Sequence, residues 1–132
     1  MRDQYLYLSS ESGIGTHSDF IVELAKYHHF GGKYEIAVVQ HTYEKSQEDL
    51  LMLTDLVELS TFHKREMPII KLLPLRKSYG GTMLANACYH PMRQNTNELC
   101  SFRVYIRTLS GEKVLFRKPF SCVLHIREAQ HG

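Results

Sequence analysis

The side chains best suited to chemistry in this chain are eight histidines and three cysteines among 132 residues. Their spacing limits what they can do. His28 and His29 are adjacent, so on a strand they point to opposite faces and cannot chelate one ion together. His41, His63, His90 and His125 each stand alone. Cys88 and His90 are two apart, which on a strand puts them on one face, as half of a zinc site completed from other strands. The competing reading is structural, with Cys88 a small core residue and His90 closing a strand. Cys88, Cys100 and Cys122 make an odd count at wide spacing with no Cys-x-x-Cys pair. A zinc ribbon is therefore not expected, and reduced thiols in an intracellular compartment are the simplest reading.

Nucleophilic chemistry is equally poorly supplied. There is no G-x-S-x-G elbow. Cys100 follows an acidic loop at Glu98, a poor setting for a thiolate nucleophile. The stretch "SSESGIG" lacks the G-K-[ST] ending of a phosphate loop and precedes a strand-like segment, so it reads as a polar loop. Asp55 lies within an apolar run, and a buried carboxylate there needs a partner, with Arg103 or Arg107 as candidates for a structural ion pair. Basic residues gather loosely in "HKRE" at 63–66, "LRK" at 75–77 and "FRK" at 116–118, mostly in expected turns, read by default as solvated loop ends, with an anionic partner as the alternative. Nucleic acid is not the expected partner, because the aromatic interleaving of a stacking platform is missing. The sequence thus assigns no catalytic, cofactor-binding or metal residue, and an enzyme is not expected.

The elements that would carry these residues are strands. Alternation of apolar and polar residues marks eight segments: 5–9, 19–25, 33–40, 50–59, 67–75, 83–90, 102–107 and 120–127. Phe20, Val22 and Leu24 share one face of the second while Glu23 takes the other; Tyr34, Ile36 and Val38 share one face of the third. The fourth, "LLMLTDLVEL", is ambiguous: Leu50, Leu53 and Leu56/Val57 also fit a helical stripe behind the capping sequence "SQED". Its β-rich neighbours favour a strand. Pro68 and Pro74 suit the ends of the fifth, or an edge. Phe102, Val104 and Ile106 of the seventh and Cys122, Leu124 and Ile126 of the eighth are expected inside, with Val123, His125 and Arg127 outside. Ile21 and Val39 are further apolar residues on outward faces.

Short strands between Gly, Pro and polar turns predict an all-β fold, an eight-stranded antiparallel β-sandwich with the topology of a single jelly roll. Residues 1–132 read as one domain, with 43% apolar and 23% charged residues and a net charge of +2, ordinary globular values. "MRDQYLYLSS" is not a secretory leader, and no run reaches the ~20 apolar residues of a membrane helix.

The order of landmarks is similar to a family of proteins encoded by Polinton/Maverick-type elements and their adenovirus-like viral relatives. Members carry an "F-x-V-x-L" strand, a "G-x-W-E-x-A" strand, an "I-x-I-x-x-D-T-G-E-x-V-x-F" hairpin and an "L-H-F-R" strand. Phe20, Val22 and Leu24 match the first; Gly32, Tyr34, Glu35 and Ala37 the second, with Tyr34 in place of Trp. Gly111, Glu112, Val114 and Phe116 match the hairpin, where "RTLSGE" replaces the acidic form, and Leu124, His125, Ile126 and Arg127 match the last strand. The resemblance implies a structural virion protein: a minor capsid, penton-like vertex subunit. Such a subunit forms a homo-oligomer, a pentamer at the five-fold vertex, and abuts the major capsid protein. The virion is then its location. The alternative is a monomeric β-sandwich interaction module that binds a protein or other ligand. One fold-level expectation follows from the jelly-roll reading. Segments 102–107 and 120–127 look like a hairpin in sequence, but should lie in opposite sheets with 108–119 crossing between them.

Overall fold

The computed structural model describes residues 3–28, 34–75, 83–84, 87–93 and 99–129. They form two five-stranded antiparallel sheets and a two-stranded ribbon. The first sheet is ordered β1 (Gln4–Ser9), β12 (Ser121–Glu128), β4 (Tyr34–Thr42) and β10 (His90–Pro91), with β9 (Met83–Leu84) also paired to β4. The second is ordered β2 (Ile14–Thr16), β3 (Asp19–His28), β11 (Leu99–Thr108), β5 (Leu50–Thr54) and β8 (Ile69–Leu73). The ribbon pairs β6 (Ser60–Phe62) with β7 (Arg65–Met67). The all-β, antiparallel expectation is met, but the count of eight strands is not. The excess comes from β2, from the ribbon, and from the expected strand at 83–90.

That expected strand is two short pieces on β4. Leu84 lies opposite Gln40 and Met83 opposite His41, while His90 lies opposite Ile36 and Pro91 opposite Glu35. The register slips between them, and residues 87–89 are irregular. The ambiguous segment 50–59 is also resolved into parts. Residues 50–54 are strand, not helix. After Thr54 the chain turns: Thr54 Oγ1 accepts from Leu56 N–H, and Thr54 N–H donates to Pro68 C=O at 3.1 Å. A threonine hydroxyl that captures a nearby amide offers the backbone an exit from the ladder. Pro68 and Pro74 bracket β8, as expected for an edge.

One apolar cluster lies between the sheets. Leu6, Leu8, Ile36, Val38, Cys122, Leu124 and Ile126 enter from the first sheet, and Phe20, Leu50, Met52, Phe102, Val104 and Ile106 from the second. The alternation read from β11 and β12 therefore places the core correctly. The outward placement of His125 also holds, yet the residue is only 7% exposed. Val39 sits where the ladder to β12 is interrupted: Val123 pairs with Gln40 and Leu124 with Val38.

The last two long strands lie in different sheets, and 109–120 carries the chain across. Gly111 makes the first bend, at φ +92, with its N–H donating to Thr108 C=O at 2.9 Å. A Cβ there would enter the guanidinium of Arg65, which donates to Ser110 C=O at 2.7 Å and Leu109 C=O at 3.1 Å. These bonds place the ribbon. Its base lies by Thr54, which bonds Pro68, and Arg65 ties it to the far end of β11, where Leu109 and Ser110 follow the strand. Leu51 and Leu53 are both 1% exposed although they point away from the core.

The cysteines divide sharply. Cys88 and Cys100 are exposed, whereas Cys122 is buried, and burial pushes its thiol up to about 12. The core reading of Cys88 is corrected: the core cysteine is Cys122. Titration of the native protein with a thiol reagent near neutral pH should modify two thiols promptly and the third only on unfolding. Three fast thiols would contradict this packing.

Candidate functional site

The histidines and cysteines do not converge. Among the described residues no three His, Cys, Asp or Glu side chains are placed to hold a metal ion. Cys88 is exposed and His90 is half-buried in a two-residue strand. Burial lowers the His90 pKa, opposed by a bond to the Ile70 backbone and reinforced by Lys71. His90 thus stays neutral further into the acid range than an exposed histidine. His63 sits at φ +48 in the tip of the ribbon. His29, Lys33, Arg76 and Lys77 lie outside the described residues, as does the pairing proposed or excluded through them.

Asp55 is corrected as well. It is exposed, and its carboxylate accepts from the Arg103 backbone N–H at 3.0 Å. The Arg103 guanidinium instead grips Asp19 through two bonds, at 2.9 and 2.6 Å. The two residues are diagonal neighbours two positions apart in the ladder, since Arg103 lies opposite Ile21 and Tyr105 opposite Asp19. Arg103 also lies over the Tyr105 ring at 4.0 Å. Sequence distance hid this pair, and only the β3–β11 register brings it together.

Two surfaces remain as candidates for function. The first is the end of the sandwich where segments 10–18, 43–49, 74–75 and 109–120 meet. Side chains there hold neighbouring loops by their backbones. Glu44 accepts from the N–H groups of Arg117 and Lys118. Ser18 Oγ donates to Val114 C=O, and the Ser18 C=O accepts from Ile106 N–H at 2.8 Å. Tyr43 OH donates to Pro74 C=O at 2.5 Å, and Asp49 accepts from Leu75 N–H at 2.9 Å. Phe120, fully buried, packs beneath them against Phe20 and Tyr43. Polar loop backbone is satisfied from inside the protein, so the loops are fixed without a ligand. Leu115 is left 76% exposed on this end, beside the exposed residues Lys113, Arg117 and Lys118. It borders a shallow cleft of about 270 Å³ that includes Thr16, Asp19 and Arg107.

The second surface is the outer face of the first sheet. Tyr5, His125 and Ala37 form one cross-strand row, and Tyr7, Val123 and Gln40 the next. His125 is covered by the Tyr5 ring, stacked at 4.6 Å. Its Nδ1 meets Tyr89 OH at 2.6 Å. Its Nε2 lies 3.2 Å from the Asp3 carboxylate, near enough for an ion pair when protonated but out of line for a hydrogen bond. Arg127 lies over the Tyr89 ring at 3.4 Å and binds Glu35 at 2.6 Å. The Asp3–His125–Tyr89 trio looks like a proton relay, yet it lines neither the Leu115 cleft nor the shallow cleft beside Tyr7. It ties β1 and residue 89 onto β12. The outward designation of His125 missed this because alternation reports which face a residue takes, not what covers it.

Comparison with known protein families, with curated proteins and with solved structures returned no match to this chain.

Two measurements follow from these contacts. Glu44→Ala should free the Arg117 and Lys118 amides, raising their hydrogen exchange and lowering stability by about 1–2 kcal/mol, while Glu44→Gln keeps part of the effect. Unchanged exchange at 117–118 would mean that the loop is held otherwise. The second concerns Asp19. Its hydrogen bond to Arg103 holds the carboxyl below its ordinary value, against the opposing effect of burial, with Arg107 and Lys113 adding to the shift. A depressed carboxyl stabilises the fold above its unfolded pKa, and this is lost as pH falls through the folded value. The pair is 38% exposed on each side, so Asp19→Asn should cost less than ~1 kcal/mol at neutral pH. Urea melts of wild type and variant should converge as the medium becomes strongly acidic. A constant gap would assign the loss to something other than charge.

Proposed function

We propose that this protein is a structural subunit of a virion, a minor capsid or penton-like vertex protein with a single jelly roll. Strand order is the observation that carries the reading. The four paired neighbours of one sheet are β1, β12, β4 and the β9/β10 pieces, and those of the other are β3, β11, β5 and β8. Counted along the chain as eight strands, with β2 and the ribbon as insertions, this is 1-8-3-6 facing 2-7-4-5. That interleaving supports the jelly-roll reading, in which two Greek keys are wound together. The opposite-sheet placement of β11 and β12 is part of the same pattern.

Three further features support the role. The motifs that resemble the Polinton/Maverick and adenovirus-like family fall on structural positions: Phe20 in the core, Gly111 at a positive-φ bend, Phe116 buried in the crossover, and Leu124 and Ile126 in the central strand. The loop end is fixed by internal bonds, as a tile that must present one shape to its neighbours requires. Exposed apolar residues, Leu115 and Ile14 among them, remain for contacts outside the chain. In this role the chain assembles as a ring of copies, a pentamer, and abuts the major capsid protein. It performs no catalysis and needs no cofactor.

The test is assembly. Native mass spectrometry of the purified chain, alone and with the major capsid protein from the same genome, should show a closed homo-oligomer and a complex. Leu115→Lys should weaken at least one of them without unfolding the sandwich. A strict monomer at high concentration, with no affinity for the capsid protein, would overturn the vertex role and leave the monomeric interaction module.

A further inference from the structure

Among the described residues the first sheet ends on β1, which is bonded on one side only, to β12. The bonds at its end fix which groups are left over. Ser10 N–H donates to Phe120 C=O at 2.8 Å, and Phe120 N–H donates to Ser10 Oγ at 2.9 Å. From there the register runs unbroken, with Ser9 opposite Ser121 and Gln4 opposite Ile126. In an antiparallel ladder, bonded and non-bonded pairs alternate. The even-numbered residues of β1 therefore bond to β12. The N–H and C=O of Tyr5, Tyr7 and Ser9 point the other way, to the open edge.

Edges are ordinarily protected by shortness, proline, charge or a bulge. The remaining edges among the described residues follow that rule. β2 has three residues, with Gly15 at φ +134. β8 lies between Pro68 and Pro74 and carries Lys71. β9 and β10 have two residues each, Pro91 among them, and the ribbon strands β6 and β7 have three each, with Arg65 and Glu66 on β7. β1 has none of these devices: "QYLYLS" is six residues long, uncharged, free of proline and unbulged. Tyr5 and Tyr7 stand 52% and 78% exposed on its outer face, and Leu6 and Leu8 are among the most exposed leucines of the core.

We propose that β1 pairs antiparallel with β1 of a second copy across a two-fold axis, joining two first sheets into one. A second copy fits because no other edge among the described residues is open to receive β1. The tyrosines select the register. A two-fold axis normal to the sheet pairs odd residues with odd, so it passes through Leu6 or Tyr7. With Tyr7 on the axis, Tyr5 would face the other copy's Ser9, leaving only the central Tyr7 pair. With Leu6 on the axis, Asp3 faces Ser9, and Tyr5 faces Tyr7 on both sides. The leftover groups of Tyr5 and Tyr7 then bond across the axis, and the tyrosines form two cross-strand aromatic pairs. The contact is isologous and yields a dimer, whereas a five-fold ring needs heterologous contacts. It does not depend on the vertex role.

A strand-only contact is small, so the dimer is weak, with association expected between about 10 μM and about 1 mM. In sedimentation velocity the mass should rise from 15.4 kDa toward twice that value with concentration. Amide exchange supplies the residue-level readout. Tyr5, Tyr7 and Ser9 should gain protection as concentration rises, while Leu6 and Leu8 are protected throughout. Tyr7→Pro removes an N–H on the open edge and leaves the β12 ladder intact, so it should abolish the dimer in a folded protein. Should that variant misfold, Tyr5→Lys with Tyr7→Lys sets like charges opposite one another and leaves the backbone alone. A monomer throughout the range overturns the pairing. So does a dimer indifferent to these variants, or a concentration-independent exchange pattern, which would leave the edge to an extended segment of another protein. A larger oligomer that ignores Tyr7→Pro also overturns it, while leaving the vertex reading standing.

Discussion

The structure depends on β11 and β12 parting company. They are the two longest late strands, separated by only twelve residues, and the obvious arrangement is a hairpin. Instead each occupies the interior of a different sheet: β12 between β1 and β4, β11 between β3 and β5. A strand at the middle of a sheet satisfies its backbone on both sides and turns one apolar face to the core. Placing both in one sheet would leave the other without a centre. The crossover at 109–120 is thus a structural necessity, and its bend at Gly111, the Arg65 bonds and the buried Phe116 and Phe120 all serve to make that crossing.

Much else is arranged around the crossover. It has no ladder partner of its own apart from the Arg107–Lys113 bridge. Its carbonyls and amides are answered by Ser10, Ser18, Glu44 and Arg65, which come from three other segments of the chain. These are single side chains reaching loop backbone, the means by which irregular chain avoids leaving polar groups unpaired. The pairing of β1 with β12 joins the two ends of the chain, and most other pairings are also long in sequence. Such topologies close many large loops before their contacts form, so folding is expected to be slow for the size of the domain.

The two outer faces are treated differently. On the second sheet, Leu51 and Leu53 are buried on the outer side, and the Asp19–Arg103 pair and Tyr105 lie on that same face. On the first, Tyr5 and Tyr89 cover His125, but Tyr7 is bare and β1 has an open side. A molecule that protects one face and leaves the other edge unfinished has a direction in which contacts can be added. The exposed loop end supplies a second direction. That asymmetry suits a component of an assembly more than a site for chemistry.

The sequence alone determined the all-β class, the inward faces of β3, β4, β11 and β12, and the turn at Gly111. These depend on local physics: period-two alternation, proline at strand ends and glycine at positive φ. It also carried the separation of β11 from β12, through the jelly-roll reading of its strands. It did not determine where 50–59 breaks, that 83–90 forms two pieces, or that Arg103 meets Asp19 and not Asp55. Nor did it show that His125 is covered or that Cys88 is exposed, although it placed Cys122 inside. Each of these depends on register and on what lies across a face, and no local pattern encodes either. The alternation of β12 assigns His125 to the outer side correctly; only the third dimension places Tyr5, Tyr89 and Asp3 around it. The residues that hold the loop end are Ser, Glu and Asp, whose types are ordinary and whose partners are distant in sequence, so tertiary structure alone decided their roles.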